Sequence, residues 1–243
     1  MRRVLITGAS RGIGAAGAEA FAAAGDLVVV NYCRSEKPAQ QLCQKIKAAG
    51  GQAIALQADV SRPEEVERLF CAAEEAAGGI DVLVNNAGIA QTKLFTDLTD
   101  EDWSRMISAN LSSVFYCCRR ALPYMIRQHC GRIINISSMW GQVGGSCEVH
   151  YSAAKAGVIG LTKALAMEEG LSGITVNCIA PGVIETDMIS QLSPEDKASL
   201  AAETPVGILG TPQDVARAMV FLASESSSFI TGQVLGVNGG FVV

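Results

Sequence analysis

Short apolar runs rich in Val and Ile recur along the chain at Val4–Ile6, Leu27–Val30, Ala53–Leu56, Val82–Val84, Ile133–Ile136, Ile174–Ile179 and Val234–Val237. Each has the length of a strand buried on both faces, where the hydrophobic run is continuous rather than alternating. Between them lie Ala-rich or amphipathic stretches of helical length: Gly12–Ala24, Lys37–Ala49, Pro63–Ala77, Glu101–Arg127 and Tyr151–Glu169. Parallel strands need crossovers, and crossovers are right-handed. The alternation therefore predicts an α/β fold, a doubly wound parallel sheet of about seven strands with helices on both faces. The longest stretch without a clear strand, Pro181–Ala223, carries turn residues at Pro181-Gly182, Ser193-Pro194 and Thr211-Pro212. These mark short helices and loops, and a substrate-covering segment is expected around residues 185–210.

At 243 residues and 49% hydrophobic composition, the chain fits a single domain, 1–243, better than two small ones. A formal charge of -5 disfavours nucleic acid as a partner. No run approaches the roughly 20 apolar residues of a membrane span, and the apolar residues after Met1-Arg2-Arg3 are too few for a signal peptide. A cytoplasmic protein with no membrane partner is expected. Eight cysteines without a Cys-x-x-Cys pair read as reduced thiols, mostly filling small apolar sites. Two unpaired histidines, His129 and His150, do not make a metal site.

In open α/β sheets, ligands sit beyond the carboxyl ends of the strands. After the first predicted strand comes Thr7-Gly8-Ala9-Ser10-Arg11-Gly12-Ile13-Gly14, followed at once by a helix. Gly8, Gly12 and Gly14 permit a tight turn and close approach of a pyrophosphate to helix N-terminal amides, as in a Rossmann-type dinucleotide site. The second strand runs into Asn31-Tyr32-Cys33-Arg34-Ser35, with no acid to bind a ribose 2′-hydroxyl or repel a 2′-phosphate. Arg11, Arg34 and Ser35 suit that phosphate, so NADPH/NADP+ is favoured. Asp59 after the third strand either accepts from the adenine amino group or caps the helix at Pro63. Asn85-Asn86-Ala87-Gly88 either lines the cofactor or forms a turn.

Ser138, Tyr151 and Lys155 are the candidate chemical group. Tyr151 and Lys155, four apart on a predicted helix, share one face. A free tyrosine has a pKa near 10, and a nearby ammonium is expected to lower it.

Thr-Gly-x-x-x-Gly-x-Gly at 7–14, Asn-Asn-Ala-Gly at 85–88, Asn110, Ser138, Tyr-x-x-x-Lys at 151–155 and Pro181-Gly182 together resemble the short-chain dehydrogenase/reductase family. The resemblance runs nearly end to end. It is strongest to the bacterial 3-oxoacyl-(acyl-carrier-protein) reductases over residues 7–14, 151–160, 173–188 and 232–240. It implies that Tyr151 donates a proton to the substrate carbonyl, Ser138 hydrogen-bonds that oxygen, Lys155 binds the nicotinamide ribose, and Asn110 holds a water linking Lys155 to solvent. It further implies cofactor contacts from Ser10, Ile13, Val60, Asn86, Ala87, Gly88, Pro181 and Gly182, with Ile184 and Thr186 at the carboxamide. Trp140, Val143, Met188 and Ile189 are candidates for a substrate wall or for core packing.

The implied reaction is reduction of a 3-oxoacyl thioester on acyl carrier protein, in fatty acid synthesis, by a homotetramer. Members commonly place arginines before the Gly131 and Gly173 strands, which the resemblance puts near the active-site mouth to meet the acidic carrier; here those positions are His129 and Ser172. Arg119, Arg120 and Arg127 are candidate replacements. A free small ketone, sugar or sterol is the alternative substrate, and a non-catalytic NADP-binding sensor is the alternative of another class. An intact Ser138–Tyr151–Lys155 set weighs against the sensor.

Overall fold

The computed structural model describes residues 1–190 and 192–243, with Met188 through its backbone only. The expected wall position of the Met188 side chain thus lies outside the described residues. The strands are β1 (Arg3–Ile6), β2 (Leu27–Tyr32), β3 (Gln52–Gln57), β4 (Val82–Asn85), β5 (Gly131–Ile136), β6 (Ile174–Pro181) and β7 (Val234–Val237). They form one sheet in the order β3-β2-β1-β4-β5-β6-β7, parallel at every pairing. The helices are α1 (Gly12–Ala23), α2 (Glu36–Ala48), α3 (Pro63–Ala77), α4 (Asp100–Ile107), α5 (Ser113–Gln128), the single turn α6 (Trp140–Val143), α7 (Val149–Glu169), α8 (Pro194–Glu203) and α9 (Pro212–Ala223).

Successive strand residues point to opposite faces, and both faces are covered. Val4, Ile6, Val28, Val30, Val82 and Val84 pack with Phe21 of α1, Leu42 of α2 and Met219 of α9. Their neighbours Leu5, Val29 and Leu83 pack with Phe70 of α3, Cys117 of α5 and Val158 of α7. That is why the strands read as unbroken apolar runs. The strand order reverses between β1 and β4, which opens a crevice at their carboxyl ends.

The structure departs from the sequence expectation in the stretch Glu101–Arg127. A π-helical turn, Ser108–Ser112, separates α4 from α5. It turns Asn110 fully inward, where Nδ2 donates to the Met106 carbonyl at 3.0 Å. The loop after β6 holds the short helices its turn residues announced: Ser193 with Asp196, and Thr211 with Asp214, form capping boxes at α8 and α9. The cysteines are all unpaired thiols, but only Cys43, Cys117, Cys118 and Cys178 are buried, half rather than most. No helix among the described residues is long and apolar enough to cross a membrane.

Candidate active site

The β1–α1 turn is shaped by backbone that side chains cannot follow. Gly8 and Gly12 have φ of 61° and 55°, in the left-handed region that favours glycine. A Cβ on Gly14 would stand 2.5 Å from Asn86 Nδ2 and 2.8 Å from the Gly8 carbonyl. Asn86 fastens this turn to β4: Nδ2 donates to the Thr7 and Gly8 carbonyls at 2.9 and 3.1 Å. The Thr7 hydroxyl accepts from the Asn86 and Ala87 N–H groups, both at 3.0 Å. The Asn-Asn-Ala-Gly segment is therefore a brace for the glycine turn. Gly14→Ala is expected to cut NADPH affinity at least tenfold with a folded protein retained, read by fluorescence titration; binding within twofold of wild type would show that the cradle tolerates a methyl group.

At the end of β2, buried Asn31 accepts from the Gly8 N–H at 3.2 Å and donates to the Ala58 carbonyl at 3.1 Å. It holds the first three strand ends together where an acid would bind a ribose. Arg34 is exposed, and Ser35 is the N-cap of α2 without a side-chain cap bond. A cationic side chain and an uncommitted hydroxyl at a helix N-terminus suit an anion. Asp59 is not the cap of α3, whose N-cap is Arg62. Its carboxylate accepts from the Ser61 N–H and hydroxyl, at 3.0 and 2.6 Å. Val60 is a buried core residue.

Ser138 follows β5 directly, and Tyr151 and Lys155 lie on successive turns of α7; all three are largely buried. Lys155 Nζ donates to the Ile136 carbonyl at 2.8 Å and lies 5.6 Å from the centre of the Tyr151 ring. The Ser137 hydroxyl donates to the Lys155 carbonyl at 2.8 Å, pinning the helix to the strand end. Asn110 joins the group across Gly88, where an added Cβ would stand 2.6 Å from Asn110 Oδ1 and 3.5 Å from Lys155 Nζ. Asn110 Oδ1 accepts from the Ile89 N–H at 3.1 Å.

Electrostatics in this pocket differ from the sequence expectation. Burial pushes the Tyr151 phenol up to about 12, a shift opposed by hydrogen bonding from Ser138 and reinforced by Glu148. Burial also brings the Lys155 ammonium down to about 8. Desolvation thus favours the neutral form of both groups and outweighs the anticipated lowering of the tyrosine.

The segment after β6 packs against neighbouring strand ends and the glycine turn. The Met139 N–H donates to the Pro181 carbonyl at 2.9 Å, and the Gly182 N–H to Val237 at 3.0 Å. Ile184 is buried in the core and bridges to Gly210. Thr186 lies against the glycine turn, its Cγ2 3.5 Å from where a Gly12 Cβ would be. Arg11 faces Asp187 at 3.8 Å, both exposed. Trp140 meets Phe241 edge to face, with ring centres 6.1 Å apart, bringing the C-terminal segment against α6.

The glycine cradle, the braced Asn86 and the Ser138–Tyr151–Lys155 cluster share the carboxyl edge of one sheet. A family model described as enoyl-(acyl carrier protein) reductase matches residues 8–242. A 3-oxoacyl-(acyl-carrier-protein) reductase FabG of Staphylococcus aureus is 44% identical over 239 residues, covering 98% of this chain and 97% of its own. The chain belongs to the short-chain dehydrogenase/reductase family. A further relative, 3-oxoacyl-(acyl-carrier-protein) reductase of Synechocystis sp., is 45% identical over 240 residues, with 98% and 96% covered. Among solved structures, a putative gluconate dehydrogenase from Agrobacterium tumefaciens superposes with a TM-score of 0.96 at 36% identity, covering 100% of this chain and 97% of that one. Members of this short-chain family are oxidoreductases dependent on a nicotinamide cofactor.

The residues that sequence reading left out of the site are the braces. Thr7, Asn31 and Ser137 act through the bonds given above; Thr7 stood in the glycine motif without a role, and only their places at strand ends could have marked the other two. One expectation about the mouth is corrected. His129 and Ser172 stand before the amino ends of β5 and β6, at the opposite edge of the sheet from Ser138. The length of β5 puts about 20 Å between those edges within one protomer. Arg120 is committed elsewhere, to Glu74 and Glu67 on α3, and Arg119 and Arg127 lie over aromatic rings of α5.

Proposed function

We propose that this chain is an NADPH-dependent 3-oxoacyl-(acyl-carrier-protein) reductase of fatty acid synthesis. The carrying observation is the convergence of Ser138, Tyr151 and Lys155 beside the glycine cradle, in a chain 43 to 45% identical over nearly its full length to reductases of that name. Two hydroxyls at one point suit a carbonyl oxygen that gains a bond to hydrogen, which favours ketone reduction over reduction of an isolated double bond.

Gly8, Ser10, Gly12, Ile13 and Gly14 would hold the pyrophosphate, Asn86 to Gly88 the middle of the cofactor, and Asp59 and Val60 the adenine. Pro181, Gly182, Ile184 and Thr186 would hold the carboxamide end. The cofactor, when bound, supplies the hydride. Ser138 then stabilises the oxygen, and Tyr151, kept protonated by burial, gives it a proton. Lys155 binds ribose hydroxyls and replaces the tyrosine proton, and Asn110 positions the route by which Lys155 recovers its own.

The NADPH preference rests on Arg34, Ser35 and the neutral Asn31. Arg34→Asp is expected to raise the KM for NADPH about tenfold or more while sparing NADH, measured as the ratio of the two kcat/KM values. An unchanged ratio would remove Arg34 from the phosphate site.

Residues 1–243 form one domain in this reading, with 185–210 covering the substrate, and the protein acts in the cytoplasm. Assembly as a homotetramer is supported by exposed apolar side chains: Trp103 and Phe115 on α4 and α5, Met167 near the end of α7, and Leu171, Phe229 and Val243 beyond it. The test is turnover of 3-oxoacyl-carrier, 3-oxoacyl-CoA and free ketone, sugar and sterol substrates side by side. Efficient reduction confined to the free compounds sinks the carrier-protein reading, and no turnover at all leaves the sensor.

A further inference from the structure

His150 immediately precedes Tyr151 and is fully buried, yet no catalytic step uses it. Its Nε2 lies 3.2 Å from Gln91 Oε1. The orientation of that amide is fixed by its other partners: Gln91 Nε2 donates to Asp102 Oδ1 at 3.0 Å, and Arg105 Nη2 reaches Gln91 Oε1 at 3.4 Å. An amide oxygen only accepts, so the imidazole donates through Nε2–H and leaves Nδ1 unprotonated. Nδ1 is buried without a partner among the described residues, a place where an added proton would find no acceptor among them.

This bond is one of several that tie the strap after Gly88 to its surroundings. The Ile89 N–H reaches Asn110 Oδ1 at 3.1 Å, at the cofactor end. The Lys93 N–H donates to the Cys147 carbonyl at 2.8 Å, just before α7, while Lys93 Nζ meets Asp102 Oδ2 at 2.6 Å. Cys147 itself is held at φ 61°, so the approach to α7 is constrained backbone. Between these two ties, Thr92 bonds to the Glu148 side chain at the N-cap of α7, and the His150–Gln91 bond joins the strap to a side chain of its first turn.

We infer that His150 is a positioning residue, whose bond to Gln91 holds the first turn of α7, and with it the Tyr151 phenol, in register with the strap that carries Gly88. The inference rests on the reading of Tyr151 as proton donor. The charged and titratable groups around the imidazole are Asp102 and Arg105 from α4, Lys93 from the strap, and Glu148 and Tyr151 from its own segment. Burial, then Arg105 and Lys93, hold the imidazole below its ordinary range against the pull of Asp102. It is therefore neutral at working pH, and acidification adds a cation beside Lys93 and Arg105 and a donor at the orphaned Nδ1.

The test compares His150→Leu, His150→Gln and Gln91→Leu in kcat, NADPH affinity and amide exchange at residues 149–152. His150→Leu is expected to lower kcat about tenfold, because small misplacements of a reacting group are costly. NADPH affinity stays within twofold, and exchange at 149–152 accelerates. His150→Gln, whose amide N–H can stand where the imidazole N–H stood, recovers kcat to within about threefold and lacks the wild-type fall in kcat at acid pH. Gln91→Leu matches the His150→Leu loss, and the double variant falls no further.

Retention of kcat by His150→Leu, failure of His150→Gln to recover it, or losses that multiply in the double variant would overturn the inference. Wild-type inactivity on every carbonyl would count against the reductase reading instead. Exchange then decides the positioning role alone: acceleration in the Leu variant reversed in the Gln variant supports it, and unchanged exchange overturns it.

Discussion

Tyr151→Phe is expected to lower reductive turnover by about 10²–10⁴-fold, the range for loss of a positioned proton donor, while NADPH binds within twofold of wild type. The substitution removes one hydroxyl and keeps the ring that packs beside Lys155, so the fold and the cofactor cradle are untouched. Steady-state kcat, with NADPH binding followed by fluorescence, separates the two effects. A variant retaining a tenth of wild-type turnover would mean that the proton comes from another group. The buried phenol, pushed up to about 12, is fully protonated at neutral pH, as an acid in the reductive direction must be. The reverse oxidation needs the phenolate, whose fraction grows about tenfold per pH unit below that value. Alcohol oxidation should therefore climb with pH while ketone reduction stays flat from neutral pH upward.

Lys155→Met should also abolish most turnover, but with a gain in stability. The ammonium is held fully inside and brought down to about 8 from an ordinary 10.5. Below pH 8 both folded and unfolded states carry the proton, and the folded state bears the full cost, about 3 kcal/mol by linkage. Between 8 and 10.5 the folded state releases its proton first, so the unfolded state binds more protons and stability rises with pH; above 10.5 the cost is gone. Methionine removes that cost and forfeits the bond to the Ile136 carbonyl, worth about 1 kcal/mol. The net gain of about 2 kcal/mol at pH 7 corresponds to roughly 4–8 °C in Tm for a chain of this size, and it should shrink above pH 9. A lower Tm at pH 7 would show that the lysine is a structural support and that its burial is offset.

The sheet was legible because each strand is covered on both sides, so Val28 to Val30 or Val82 to Val84 could be found without knowing which helix lies on which face. The glycine turn and the Tyr151–Lys155 pair were legible because their chemistry depends on spacing along the chain. What escaped depends on distance across it. Thr7, Asn31 and Ser137 are ordinary residues in sequence, and they matter through bonds to segments 18 to 80 positions away. The sign of the tyrosine shift escaped for the same reason. Spacing put an ammonium near the phenol, but burial, set by the whole fold, dominates both groups. His129 and Ser172 were assigned to the mouth by analogy, and the direction of β5 and β6 puts them at the other edge.

The π turn at Ser108–Ser112 closes five residues ahead where an α-helix closes four. It is therefore an ordinary helix with one residue too many, and the inward direction of Asn110 is a property of chain length. No substitution at a single position reproduces or removes that direction. Loss of one residue anywhere in the turn would merge α4 and α5 into the unbroken helix that the hydrophobic pattern suggests. The helix beyond the gap would keep its place, because the wide turn absorbs the extra residue, but the inward direction of Asn110 and its bond to the Ile89 N–H would be lost. Length in this short stretch is thus under tighter constraint than the identity of its serines, and variation among related chains should show exchanges there but no gaps.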